Sequence, residues 1–543
     1  MHFPLSKNPS PLLSIDRWGL AAFLIAAIVI VPLAVIFSSV FSAHDEIWAH
    51  LLETTLPGIL VNTFWLTLGV ALGTGVLGVS LAWLTAATEF PGRRFLDWAL
   101  MLPMAIPSYV TAFVAIGLLD FSGPIQTALR ARFGKDGFWF PEIRSTGGVV
   151  LVMTLTLYPY VYLLTRNAFL TQGRRALEAA QSLGAGRVSG FFRVALPMAR
   201  PWIAGGVMLA LMETLSDFGA VSIFNYDTFA TAIYQAWFGF FSISAASQLA
   251  SLLVGLVFIL LLLEQKLTAR MRYTSTRLMR IEGDRIPLYG LMSWCAAIFA
   301  ASVFFIAFVV PVMQLLIWSI SIAGEDLDVR YFAYLGHSLS LGGSAALITV
   351  AAVLVLVYAR RLNPGPTIRA FVRVATLGYA LPGSVLAVGV FIPFAWLDGQ
   401  MTAYLNRPFI LKGTVAAMLL AYLVRFLAVA YHPVQSVMKR ISRHIDESAR
   451  NLGCSGFEML RRVHLPMMRG GVLTALVLVF VDVMKEMPIT LMTRPFGWDT
   501  LAIRIYEMTS EGEWERAALP AVAIVLAGLI PVFLLTRDRE KGF

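Results

Sequence analysis

Long apolar runs, interrupted by Gly and Pro but seldom by charge, recur along the whole chain. Twelve of them reach 18 residues or more, at about 18–41, 60–84, 96–119, 147–165, 201–222, 244–263, 288–320, 338–358, 371–397, 411–431, 470–492 and 517–535. A hydrocarbon layer about 30 Å thick is crossed by about 20 helical residues, so each run predicts one transmembrane helix. The 288–320 run is long for a single crossing and contains Pro311, which leaves open a split or re-entrant segment there. The first run follows Lys7 and Arg17 and is longer than the apolar part of a cleavable signal, so it reads as a retained first helix.

Composition agrees with this pattern. Of the 543 residues 58% are hydrophobic and 14% charged, where soluble domains average about 45–50% and about 25%. The mean hydropathy is +0.75. These values exclude an ordinary soluble enzyme and predict an all-α polytopic membrane protein of about 12 transmembrane helices. The formal net charge of +10 then reads as a property of loops on one membrane face, with no nucleic-acid partner implied. With an even number of spans both termini share a side. With the span-end residues Arg373 and Lys412 counted in their adjacent loops, thirty of the 42 Lys and Arg fall in the termini and alternate loops of that side, ten lie in the opposite loops, and Arg425 and Lys485 lie inside spans. The bias predicts that both termini are cytoplasmic. Cys295 and Cys454 lie in an apolar run and a basic segment, and the seven histidines are scattered, so neither a disulfide framework nor a metal site is expected. No catalytic set is expected either.

Two segments repeat at an offset of 269. Glu178-Ala-Ala-Gln-Ser-Leu-Gly184 runs on to Val194-Ala-Leu196-Pro197-Met-Ala-Arg200, and Glu447-Ser-Ala-Arg-Asn-Leu-Gly453 runs on to Val463-His-Leu465-Pro466-Met-Met-Arg469. Glu to Gly is 6, Gly to Pro 13 and Pro to Arg 3 in both. Leu102-Pro103 with Leu381-Pro382, and Asp120 with Asp398, follow at nearly the same offset. Such self-similarity predicts two fused copies of one six-helix domain in the same orientation, over 1–270 and 288–543, with 271–287 as a basic linker. The repeated segments lie in the long loops 174–200 and 443–469 and read as helix, Gly turn, helix: Glu suits a helix start, Gly allows a positive backbone angle, and Pro opens the next helix.

These residues resemble the Glu-Ala-Ala loop of permease subunits in binding-protein-dependent ABC importers, and the chain is particularly similar to the fused permeases of ferric iron importers. The resemblance covers essentially the whole chain, as two type I permease domains. It implies that each loop forms a coupling helix docking into a cleft of a separate ATPase. The carry-over falls on Glu178, Ala179, Gly184, Leu196 and Pro197, and on Glu447, Ala449, Gly453, Leu465 and Pro466. Ser448 replaces the first Ala of the second copy, and Val194 and Val463 stand where Ile is commoner. The implied partners are two ATPase copies, a periplasmic substrate-binding protein and membrane lipid, in a bacterial inner membrane. No Gly-x-x-x-x-Gly-Lys-Ser/Thr occurs in the chain, so ATP-Mg belongs to the partner and this chain carries no cofactor. The implied cargo is ferric iron, with thiamine, a polyamine or a phosphonate-type solute as alternatives for related permeases. A twelve-helix secondary transporter is the competing class.

Span 5 carries Glu213 and Asp217, and span 11 carries Asp482 and Glu486; the pairs coincide at the 269 offset. Ionisable groups within spans cost about 2.5–3.5 kcal/mol each on insertion scales, which makes them functional candidates. Spacing i, i+4 puts each pair on one helix face. Two readings stand: the four carboxylates line a translocation path favouring cations, or they pair structurally with neighbouring helices, Arg425 included. Pro103, Pro107, Pro382 and Pro393 predict helix interruptions or kinks, and Gly69, Gly73 and Gly75 predict close helix packing. The mixed-charge 120–146 loop and the more acidic 493–515 loop are candidate docking surfaces on the far side.

Overall fold

A computed structural model describes residues 17–41, 46–134, 139–173, 186–269, 285–408 and 410–540. Among these, apart from a two-residue parallel pairing of Thr88–Glu89 with Ile286–Pro287, regular structure is helical. The elements used below are α1 (Arg17–Ser39), α2 (Leu56–Ala87), α3 (Ser108–Leu119), α4 (Thr146–Ala168), α5 (Leu196–Ser216), α6 (Gly219–Ile223) and α7 (Ile243–Ala269), then α8 (Gly290–Asp326), α9 (Val329–Leu362), α10 (Gly383–Leu405), α11 (Val415–Arg440), α12 (Arg443–Asn451), α13 (Arg469–Lys485), α14 (Pro488–Thr493) and α15 (Trp514–Glu540). Among the described residues eleven helices are long and apolar enough to cross a membrane. A twelfth span arises when Gly456–Met467 and Arg469–Lys485, bent by 82° at their junction, are counted together. Large apolar side chains such as Phe23, Leu72, Val76, Leu291, Ile298 and Leu347 stand exposed on these helices, as a hydrocarbon solvent requires.

The runs at 96–119 and 371–397 are not single helices. Each contains a short helix (Arg93–Ala99, Pro366–Ala375), a 3₁₀ turn (Leu102–Ala105, Leu377–Ala380), an extended residue before a proline, and only then α3 or α10. Ile106 and Leu381 are extended, with ψ of 122° and 133°, because a following proline disfavours the helical region. Pro107 is therefore the counterpart of Pro382, at an offset of 275, which corrects the pairing of Leu102-Pro103 with Leu381-Pro382. Asp120 and Asp398 also differ in role. Asp120 ends α3 and pairs with Arg144, whereas Asp398 lies inside α10 and accepts the backbone N–H groups of Leu411 and Lys412.

The 288–320 run is one helix, α8, containing a wide π turn at Phe305–Val309. Identical turns occupy Phe191–Ala195 and Leu460–His464. All three end two residues before a proline, Pro311, Pro197 or Pro466. A proline ring clashes with the carbonyl four residues earlier, and the wider turn opens room for it without ending the helix. Gly69 and Gly73 of α2 lie where a Cβ would strike Val150 and Thr154 of α4, while a Cβ on Gly75 would make only ordinary contact with Val207 at 3.8 Å.

The first helix of each half packs on the other half. Trp18 and Phe23 of α1 meet Tyr358 and Phe371. Phe304 and Trp318 of α8 meet Phe95 and Phe113. The largest apolar cluster accordingly mixes residues from both halves, and separating them would expose it.

Candidate functional site

A cavity of about 260 Å³ lies between the halves, and all four intramembrane carboxylates line it, together with Arg425 and Lys485. Its walls come from matching places in the two copies: the ends of α5 and α13, and the prolyl turns preceding α3 and α10. Both long helices stop there. α5 ends at Ser216 and α13 at Lys485; the next residues, Asp217 and Glu486, are extended with ψ of 123° and 119°, and the chain resumes as α6 and α14. The expectation that each acidic pair shares one helix face is thus corrected. Glu213 and Asp482 are helical, whereas Asp217 and Glu486 sit in the breaks.

The inner acids have work at those breaks. Asp217 Oδ1 accepts the Ala220 N–H at 2.8 Å and Glu486 Oε1 accepts the Ile489 N–H at 3.0 Å, each satisfying an orphan donor at the start of the resumed helix. Their second partners differ. Ser108 donates its hydroxyl to Asp217. In the second copy the matching position is Gly383, and the space is taken by Arg425, whose Nε lies 3.5 Å from Glu486 Oε2 and whose Nη1 donates to Leu381 O. A Cβ on Gly383 would stand 2.7 Å from Glu486 Oε1, 2.9 Å from Pro488 Cγ and 3.1 Å from Arg425 Nη1, so a larger residue would have to displace the pair or the proline ring. Arg425 itself stands where the first copy has Thr156, at the 269 offset.

The outer acids are less engaged. Glu213 accepts the Tyr379 hydroxyl at 3.1 Å. Asp482 has no hydrogen-bond partner among the described residues, and Lys485 Nζ, three residues on, donates to Met104 O at 3.0 Å. Met104 and Tyr379 are themselves counterparts at the 275 offset, so both contacts bridge the halves through equivalent 3₁₀ turns. Four carboxylates against two cationic groups give the cavity a surplus of acid. Among the described residues no group of three or more His, Cys, Asp or Glu is arranged to hold a metal ion.

Glu178, Ala179 and Gly184 of the first repeated loop lie outside the described residues. Leu196 and Pro197 open α5 directly after the π turn. The second loop has the predicted helix, Gly turn, helix. α12 starts at the Ser442 cap, whose hydroxyl accepts the His444 N–H, and closes with bonds from Gly453 N to Arg450 O and Cys454 N to Ala449 O. That paired pattern needs a left-handed residue, which Gly453 supplies at φ +86°. Glu447 is exposed beside His444, Ala449 is buried beneath the helix, and Leu465 and Pro466 form the short helix ahead of the 82° bend.

Sequence reasoning missed what holds α12 in place. Arg361, in the last turn of α9, forms a two-pronged ion pair with Asp446 (Nε to Oδ2 2.8 Å, Nη2 to Oδ1 3.1 Å), and buried His464 Nε2 lies 3.0 Å from Asp446 Oδ1. Burial alone would raise the Asp446 pKa, but hydrogen bonds from Arg361 and His464 outweigh it and hold the carboxyl below its ordinary value.

At the far end, the 493–515 loop is internally paired, Arg494 bridging Asp499 and Glu507. A second repeat emerges there at an offset of 272: Phe224-Asn-Tyr-Asp-Thr228 and Phe496-Gly-Trp-Asp-Thr500. Asn225 and Gly497 share a positive φ. Asn62 Nδ2 donates to Asp227 O in one copy, and His337 Nδ1 lies 3.0 Å from Asp499 O in the other. The shared Asp-Thr pair was the available signal.

Residues 75–273 and 348–537 each match the family described as "Binding-protein-dependent transport system inner membrane component". The chain is 28% identical over 498 residues to the Fe(3+)-transport system permease protein FbpB 2 of Haemophilus influenzae, covering 90% of this chain and 92% of that one. It is 25% identical to the probable ABC transporter permease protein y4fN of Sinorhizobium fredii over 98% of this chain and 96% of that one. The sulfate transport system permease protein CysT of Salmonella typhimurium matches 37% of this chain and 72% of its own length, at 29% identity.

Proposed function

We propose, from the premise that this chain belongs to the family of binding-protein-dependent transport system inner membrane components, that it supplies both membrane domains of a bacterial ATP-driven ferric iron importer. The family is one of transport permeases, not enzymes. In this reading both termini and both repeated loops face the cytoplasm. Each loop receives one copy of a separate ATPase that binds ATP-Mg, and a loaded binding protein docks at the opposite, periplasmic face. Closure of the ATPases moves the loop arms, and α5 and α13 carry that motion along about 25–30 Å of helix, at about 1.5 Å per residue, to the cavity.

The observation that carries the reading is a duplicated arrangement: after each repeated loop one long helix, then a break, and an acidic lining residue at the break. The cavity's surplus of carboxylate supports a cationic cargo over an oxyanion, and the ferric relatives match along nearly the whole chain. The tasks of the acids divide. Asp217 and Glu486 hold the breaks, while Glu213 and Asp482 face the passing ion, with Lys485 as resident counter-charge. The test is purification with the neighbouring ATPase, followed by ATP-dependent uptake of radiolabelled ferric iron or sulfate into proteoliposomes supplied with the cognate binding protein. Stoichiometric ATPase retention with iron uptake is expected. Sulfate uptake, or a proton-driven flux without ATPase, would replace the reading with an oxyanion importer or a secondary transporter.

A further inference from the structure

We propose that Arg361, Asp446 and His464 clamp the second loop arm into one rigid body with α9, α11 and α13, so that this arm, rather than the first, sets the position of the cavity acids when the ATPases close. The inference rests on the function proposed above and adds the positioning residues through which coupling runs.

One guanidinium lies at the centre of the clamp. Arg361 is nine-tenths buried as a side chain and, from the end of α9, spends its donors on the end of α11 and on α12. Nη1 donates to Ile441 O at 2.8 Å, and Nη2 to Ser442 O at 3.0 Å, taking the carbonyls at the junction of α11 and α12. Such carbonyls lack helical partners and carry partial negative charge, which suits a cation. Nε and Nη2 also grip both oxygens of Asp446, in the first turn of α12. A planar fork matched to a carboxylate fixes orientation as well as distance.

His464 extends the clamp to the last element. It closes the π turn leading to α13 and is fully buried. Its Nδ1 has no partner in the described structure. A carboxylate only accepts, so the contact at 3.0 Å is Nε2–H donating to Asp446 Oδ1. Tyr358 of α9 packs against the ring at 5.5 Å and donates its hydroxyl to Gly456 O at 2.7 Å. A displacement of α12 therefore takes the ends of α9 and α11 with it, and because both of these helices pack along α13, the helix that carries Asp482 and Lys485 and leads into Glu486 follows.

The first copy does not have these residues. Thr88 stands where Arg361 does, three residues before a Pro-Gly, and Leu177 and Ala195 occupy the positions of Asp446 and His464. The Thr88 hydroxyl turns back to Leu84 O of its own helix. A buried ion pair of that half, Arg166 with Asp97, joins α4 to the short helix Arg93–Ala99.

The test uses the full chain assembled with its ATPase in nanodiscs, with Cys295 and Cys454 replaced by Ser. Spin labels go at Asn451→Cys on α12 and Leu473→Cys on α13, both exposed. The distance between labels is read without nucleotide and after vanadate trapping. One narrow distribution, unchanged by trapping, is expected for the parent chain. In Asp446→Asn, Arg361→Met and His464→Leu it should broaden or shift, and in His464→Gln, whose amide restores a donor, it should narrow again. Transport per ATP should fall about five-fold or more in Asp446→Asn while the ATPase stays bound. A parent distance that changes on trapping overturns the proposal, as does an unchanged narrow distribution in all the variants. If no ATPase is retained, the functional reading fails instead, and the nucleotide-free widths still decide whether the clamp holds the arm.

Discussion

Glu486 has two partners, a backbone N–H and the Arg425 guanidinium, in a part of the bundle closed to water except through the cavity. Removing one member of such a buried pair costs about 3–5 kcal/mol, because the other charge is left without compensation. Arg425→Leu should therefore lower the melting temperature sharply in detergent, and the double variant Arg425→Leu/Glu486→Gln should recover most of the loss. Gly383→Ala should have a similar effect, since the added methyl occupies the space of the pair. At the outer acids the expectation reverses: Glu213→Gln and Asp482→Asn should leave the melting temperature unchanged and lower cation transport. The existence and pairing of the four acids were legible from the 269 offset. Their division of labour was not, because it depends on a helix break inside an apolar run and on Ser108, Gly383 and Arg425, which are neighbours only in space.

At the scale of elements, spacing predicted the helix, Gly turn, helix of the second loop because its signals are local: a glycine that takes φ +86° and a proline that opens the next helix, although the helix begins four residues before Glu447, at Arg443. Gly453→Val, forced into that left-handed conformation, should weaken ATPase retention in pull-down by disordering the end of α12. The π turns and the breaks in spans 5 and 11 were not legible, while prolines announced an interruption of spans 3 and 9 without its form. Hydropathy averages over a window and does not register a change from α to 3₁₀ or π winding, whereas proline marks only a tendency. Pro311→Ala removes the ring clash that the wide turn accommodates, and should raise stability by tightening α8 into regular winding, measurable as a rise in melting temperature.

Across the whole molecule, two parallel halves exchange their first helices and enclose an acidic cavity. The two-copy organisation was written in the self-similarity of the chain, but the exchange was not, since α1 and α8 are apolar on all sides and carry no partner signal. Because each half covers apolar surface of the other, residues 1–275 and 276–543 expressed as separate chains should co-purify, and either alone should be lost to aggregation or proteolysis. The central claim is that ATP-driven movement of the loop arms opens this cavity to a cation that Glu213 and Asp482 receive. The most direct measurement is ATP-dependent uptake of radiolabelled ferric iron into proteoliposomes by the double variant Glu213→Gln/Asp482→Asn, with ATP hydrolysis followed in the same vesicles. The account predicts that the loaded binding protein still stimulates hydrolysis while iron uptake falls to near background; uptake at the parent rate would contradict it.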